Sequence, residues 1–267
     1  MLREPVVAGR FYPSDPDILR RDLQSYFSPP GERKSAIACL VPHAGYMYSG
    51  AVAGAVFSRL SLPSRCIILC PNHTGRGQPL SLMKEGGWRT PLGDLNIDQR
   101  LADEMLREFP ALTEDSDAHR FEHAIEVELP FLQVIRPEII FVPIALGTSR
   151  LAILQELGEA VARVIQQTPE DILIIASSDM NHYENEATTR VKDQKAIEEI
   201  LELDAAGLYE TVIKESISMC GFGPTVSMLT AATRLGAERA ELVQYATSAD
   251  AFGDRETVVG YAGIIVS

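Results

Sequence analysis

The sequence predicts an α/β fold: a single domain over residues 1–267, with a central, largely parallel or mixed sheet covered by helices. Three observations carry this. Short apolar runs of strand length alternate with amphipathic stretches of helical length. Three of those runs end in a histidine or an acid just past their carboxyl end, the edge at which open α/β sheets bind ligands. Finally, no low-complexity segment and no repeat with a period of roughly 20–50 residues interrupts the chain.

The elements follow in order. Ala36 to Val41 is an apolar run suited to a strand covered on both faces. It lies inside Ser35 to Ser58, a stretch without Asp, Glu, Lys or Arg that is longer than the roughly 20 residues of a membrane span. Pro42-His43-Ala44-Gly45-Tyr46 breaks that stretch, which therefore reads as a buried strand, a loop and a small-residue helix. Cys66 to Cys70 is the next strand, and Asp98 to Phe109 the next amphipathic helix. A helix is expected around His123 and Glu126, followed by a strand at Ile139 to Leu146 and a helix at Arg150 to Gln167. Asp171 to Ala176 is a strand, and Thr188 to Leu203 and Thr225 to Arg234 have helical spacing. Leu242 to Ala246 and Val258 to Val266 are the last strands, where an antiparallel pair can form.

Charge narrows the function classes. With 24 Lys plus Arg against 37 Asp plus Glu, the net charge is −13, and no basic cluster offers the phosphate contacts that nucleic-acid binding needs. The start, Met1-Leu2-Arg3-Glu4-Pro5, lacks the apolar core of a secretory signal. Cys66 and Cys70, in one strand, would have Cα atoms roughly 13 Å apart, beyond the roughly 7 Å a disulfide spans. No Cys-x-x-Cys occurs either. Reduced thiols in a cytoplasmic protein, without membrane or nucleic-acid partners, are the simplest reading.

Five histidines and four cysteines are the scarce chemical resource. His43 follows the first strand and His73 the second, each with glycine within two residues. Asp179 and His182 follow the fourth run three residues apart, so a turn or a first helical coil would aim both into one cavity. Cys220 sits at or just before a helix start, where aligned peptide dipoles favour the thiolate that ligates metal. Imidazole suits iron, copper and zinc, and a carboxylate ligates or acts as base. Plainer roles exist for each: a hydrogen-bonded structural histidine, an aspartate capping a helix, a cysteine as a small buried hydrophobe. His123 and Glu126 either line the same pocket or, with Glu122 and Glu128, belong to a solvated helical face. His119, in an acidic segment, is expected to be exposed, and Cys39, Cys66 and Cys70 to be strand core. Gly75-Arg76-Gly77 offers an anion cradle without a nucleotide-binding pattern.

Ala8-Gly9-Arg10-Phe11-Tyr12-Pro13, Pro42-His43-Ala44-Gly45-Tyr46, Pro71-Asn72-His73-Thr74-Gly75 and Trp88-Arg89-Thr90-Pro91-Leu92-Gly93 occur in that order. Glu122-His123-Ala124-Ile125-Glu126, Ser178-Asp179-Met180-Asn181-His182 and Cys220-Gly221 follow, so that the ordered set resembles the Memo family over nearly the whole chain. The resemblance implies a fold similar to class III extradiol dioxygenases. It also implies a pocket in which two histidines and a cysteine, matching His43, His73 and Cys220, hold iron or copper beside Asp179 and His182. A functional link to a radical-SAM protein is a further implication. A cysteine where those dioxygenases use a carboxylate makes the site softer and more oxidisable, so ring cleavage does not carry over and zinc or copper(I) becomes competitive.

The first functional expectation is thus a metal-binding protein, an iron- or copper-dependent oxidoreductase whose ligands are His43, His73 and Cys220, with Asp179 and His182 as catalytic acid–base groups. The alternatives are a metal-assisted hydrolase with Asp179 as base, and a non-enzymatic peptide- or protein-binding module using the same pocket; the expected partner is an unidentified small molecule or peptide.

Overall fold

The computed structural model describes residues 1–28 and 32–267. The chain opens with β1 (Leu2–Arg3) and α1 (Pro16–Tyr26), a helix started by the Asp15 carboxylate, which accepts from the amides of Asp17 and Ile18. Next come β2 (Ala38–Val41) and α2 (Tyr46–Arg59). The small residues of α2 have a purpose: a Cβ at Gly54 would overlap the Tyr26 carbonyl, so glycine there lets α1 close onto α2. After β3 (Arg65–Pro71) and β4 (Leu80–Leu82), β5 (Gly87–Thr90) and β6 (Gly93–Asn96) form a hairpin. Asp98 caps α3 (Gln99–Glu108), and β7 (Thr113–Glu114), α4 (Ala124–Ile135) and β8 (Ile140–Leu146) follow. The second half contains α5 (Leu151–Gln167), β9 (Ile172–Ser177), β10 (His182–Glu184), α6 (Glu186–Leu201) and α7 (Ala205–Lys214). It ends with α8 (Phe222–Arg234), β11 (Ala240–Thr247), α9 (Ala249–Phe252) and β12 (Val258–Val266).

The heart of the large sheet is parallel: β2, β9, β3 and β8 lie side by side, in that order. Antiparallel strands extend it at both margins, β12 beside β2 and β4 beside β8, which makes the sheet mixed. β11 pairs along β12, the antiparallel pair expected near the C-terminus. β1, β5 and β6 form a separate three-stranded sheet. Along β3, Ile67 and Leu69 face one layer while Cys66, Ile68 and Cys70 face the other, the two-residue alternation of a strand. The first layer holds α3, α5, α7 and α8 through Met105, Leu157, Val212 and Leu229. The second holds α1, α2 and α4 through Leu23, Phe57 and Phe131. Cys39, Cys66 and Cys70 are core residues, and all four cysteines are free. Among the described residues no helix is long and apolar enough to cross a membrane.

Several expectations need correction. His182 begins a strand, and the helix after it starts at Glu186 with Asn185, not Asp179, as its cap. The β5–β6 hairpin and α1 were not anticipated, since both are short and carry mixed polar and apolar residues. His119 is fully buried, because Arg3 Nε donates to its carbonyl (2.6 Å) and draws the segment down onto Trp88. Neither His119 ring nitrogen has a hydrogen-bond partner among the described residues.

A pH dependence follows from this burial. Desolvation, reinforced by the Arg3 guanidinium, pulls the His119 imidazole down from 6.5 to about 4. Between those values the unfolded chain takes up a proton that the native chain cannot, so the stability present above 6.5 is lost as pH falls. The loss approaches roughly 3 kcal/mol when both values are crossed. Urea unfolding at pH 7 and pH 4.5, for the wild type and for His119→Phe, reads it out. The variant should lose markedly less stability on acidification, and identical losses would contradict this assignment.

Candidate metal centre

The parallel strands deliver their residues to one edge. His43 lies two residues past β2, and its amide donates to Asp179 Oδ1 (2.9 Å), which ties the loop after β2 to the loop after β9. His73 lies two residues past β3, and His123 is the residue from which α4 starts. One ring nitrogen from each of His43, His73 and His123 lies within 4.8 Å of the other two. Their ring centroids are 4.8–5.5 Å apart.

The rings are held from behind. Glu122 Oε1 faces His73 Nδ1 at 2.9 Å, and Glu122 Oε2 accepts from the His73 amide at 2.6 Å. Oε1 also accepts from the amides of His123 and Ala124 (2.8 and 3.0 Å), so one carboxylate both caps α4 and orients His73. A carboxylate on Nδ1 assigns the proton to that nitrogen and leaves the Nε2 lone pair for an electrophile. His43 Nδ1 is 2.8 Å from Ser177 Oγ, and its Nε2 is 3.3 Å from Cys220 Sγ. His182 has its own anchor, with Nδ1 2.9 Å from the Ser218 carbonyl and its amide donating to Ser218 Oγ.

Burial keeps two of the three rings, His43 and His123, in ligand form. Burial, then the neighbouring His73 and His123, holds His43 well below the usual imidazole range, so it stays neutral into acid. Burial likewise lowers His123. At His73 burial also acts downward, but the bond and charge of Glu122 outweigh it and the net shift is upward. Glu122 itself is held below the carboxylate range: burial opposes this, but His73 prevails. Asp179 is raised by burial.

Cys220 corrects the thiolate expectation. It precedes α8 by two residues, but desolvation and the nearby Asp179 push its thiol up, and together they outweigh the helix end. Its sulfur accepts from the Asp179 amide at 3.3 Å.

The structure therefore gathers His43, His73 and His123 into one set, places Cys220 and Asp179 in contact with His43, and leaves His182 beside them. His123, expected only to line the pocket, offers a nitrogen to the same centre.

The three glutamates depart from the solvated-face expectation. Glu122, Glu126 and Glu128 are all fully buried, and none belongs to a solvated face. Nor does Glu126 reach the centre; it receives Arg3, Tyr12 and the amides of Val6 and Val7 instead. A signal existed: α4 is apolar all round, and a helix of that kind is buried, so its carboxylates must find partners inside. Arg76, in the supposed anion cradle, is paired with Asp117 at 3.0 Å and lies over Phe121. A surface cleft of about 690 Å³, lined by Ala36, Ile172 and Ser267 among others, opens at the opposite end of the parallel strands.

A family model described as "Memo-like protein" matches residues 3–265. A MEMO1 family protein of Methanopyrus kandleri is 41% identical, with 99% of each chain covered. Another, from Methanothermobacter thermautotrophicus, is 38% identical over 98% of this chain and 99% of its own. A third, from Methanosarcina barkeri, is 40% identical over 99% of this chain and 100% of its own. Among solved structures, an uncharacterized protein of Escherichia coli K12 shares the fold at a TM-score of 0.53 and 14% identity, covering 85% of this chain and 98% of that one.

Proposed function

The chain belongs to the Memo family, and on that premise we propose that His43, His73 and His123 hold one iron or copper ion as the centre of a cytoplasmic oxidoreductase. The observation that carries the reading is the convergence of three ring nitrogens, with a carboxylate or hydroxyl behind Nδ1 of two of the rings. When bound, such an ion supplies one-electron chemistry and a Lewis-acidic position for a small molecule.

The chain's own residues do the rest. Glu122 fixes the ring plane of His73, and the low basicity of His43 keeps its imidazole neutral. Cys220, its sulfur 3.3 Å from His43 Nε2, would add a thiolate beside that ring if a bound ion displaced its proton. His182, its Nδ1 proton held by the Ser218 carbonyl, has its Nε2 lone pair ready to accept a proton, and Asp179 is its acidic counterpart. Four free cysteines suit a reducing compartment.

One observation favours a second reading. Three imidazoles without a carboxylate are also a set used by hydrolytic zinc, and Asp179 would then be the base that takes a proton from water. Anaerobic titration with iron(II), copper(I) and zinc(II), followed by admission of oxygen, separates the two. The oxidoreductase reading expects one equivalent of iron or copper and an oxygen-dependent, reductant-reversible absorption change. Retention of zinc alone, with no such change, would overturn it in favour of the hydrolase.

A further inference from the structure

We propose that Ser177 and Glu128 set the tautomer of His43, and so act as positioning residues for the three-imidazole centre. The inference rests on the metal-centre reading only for its purpose; the tautomer itself is a property of the metal-free chain.

A neutral imidazole carries one ring proton, and only the unprotonated nitrogen can bind an electrophile. The two contacts of His43 do not by themselves choose. With the proton on Nδ1, the ring donates to Ser177 Oγ (2.8 Å) and its Nε2 accepts from the Cys220 thiol (3.3 Å). With the proton on Nε2, the Ser177 hydroxyl donates to Nδ1 and the ring donates to sulfur instead. The choice therefore passes to the single hydroxyl proton of Ser177.

Two acceptors compete for that proton. Glu128 Oε1 lies 3.0 Å from Ser177 Oγ and the Ala124 carbonyl 3.2 Å from it. Both belong to α4, four residues apart, and so stack on one side of the helix facing Ser177. With its proton drawn to α4, the Ser177 oxygen is left as an acceptor. His43 then carries its proton on Nδ1 and turns the Nε2 lone pair towards the centre. The strand register makes this possible, because Ser177 closes β9 opposite Val41, two residues before His43.

Glu128 has no other visible occupation. It is fully buried, and its Oε2 has no hydrogen-bond partner among the described residues. A carboxyl group is costly to keep in such a place. Burial drives it well above the carboxylate range, and its Oε1 is the oxygen placed to accept from Ser177 Oγ. Helix α4 thereby arranges all three rings: Glu122 before its start orients His73, His123 begins it, and Ala124 with Glu128 reaches His43 through Ser177.

Long-range proton–nitrogen correlation spectra of the metal-free, nitrogen-15-labelled protein report the tautomer directly. Wild type should show His43 protonated at Nδ1. Glu128→Gln, which keeps an acceptor oxygen, should do the same. Ser177→Ala and Glu128→Leu should give a mixture, and should weaken zinc(II) binding by about 10–100-fold. A wild-type His43 protonated at Nε2 would overturn the proposal whether or not the variants fold, as would an unchanged tautomer in both Ser177→Ala and Glu128→Leu. If wild type binds no metal but its tautomer collapses in Ser177→Ala, the tautomer control stands and only the metal reading falls.

Discussion

Glu126→Ala is expected to destabilise the protein by about 3–5 kcal/mol, the range for breaking a buried ion pair at one partner. Arg3 and Glu126 are in contact at 2.8 Å, with side chains 5% and 0% exposed. Removing the carboxylate strands the Arg3 guanidinium, the Tyr12 hydroxyl and the amides of Val6 and Val7, all of which donate to Glu126. Arg3 also donates to the carbonyls of His119 and Glu122 and lies 4.0 Å over the Trp88 ring, so the damage spreads to the backbone that carries Glu122. The urea midpoint should fall sharply, and the double variant Arg3→Met, Glu126→Leu should recover only part of the loss, because it removes the unpaired charge but leaves the Tyr12 hydroxyl and the amides of Val6 and Val7 without their acceptor. A single-variant loss below about 1 kcal/mol, the scale of an exposed pair, would contradict the account.

His123→Ala should weaken metal binding by more than about 100-fold, beyond the 10–100-fold typical of losing an orienting partner. His123 supplies one of three nitrogens and, unlike His43 and His73, is not among the ligands that the family resemblance implies. Its removal leaves Glu122 still capping α4 through the amides of residues 123 and 124, so the fold should persist. Isothermal titration with the anaerobically reduced protein measures the change. Binding as tight as wild type would remove His123 from the centre.

Much of this was legible in the residues. The parallel strands show in the sequence as uncharged apolar runs, because a strand buried on both faces leaves little ambiguity in its pattern. His43 and His73 were visible for the same reason: each stands directly after such a run. His119 was misjudged because local charge says nothing about Arg3, 116 residues away, whose bond to its carbonyl buries it. The glutamates of α4 were misjudged by reading their charge without the apolar context that surrounds it. Ser177 and Glu128 could not be joined to His43 from sequence at all, since their link depends on β2 and β9 lying in register with α4 packed against them. Cys220 shows competing physics, in which a helix end was credited and desolvation was not.

In the proposed function, three imidazoles from the ends of β2 and β3 and the start of α4 form one metal centre. Anomalous-scattering maps at the iron, copper and zinc edges, from crystals grown without added metal, test it most directly. A single strong peak is expected within bonding distance of ring nitrogens of His43, His73 and His123. A peak bound elsewhere, or by a set that omits any of these three histidines, would contradict it.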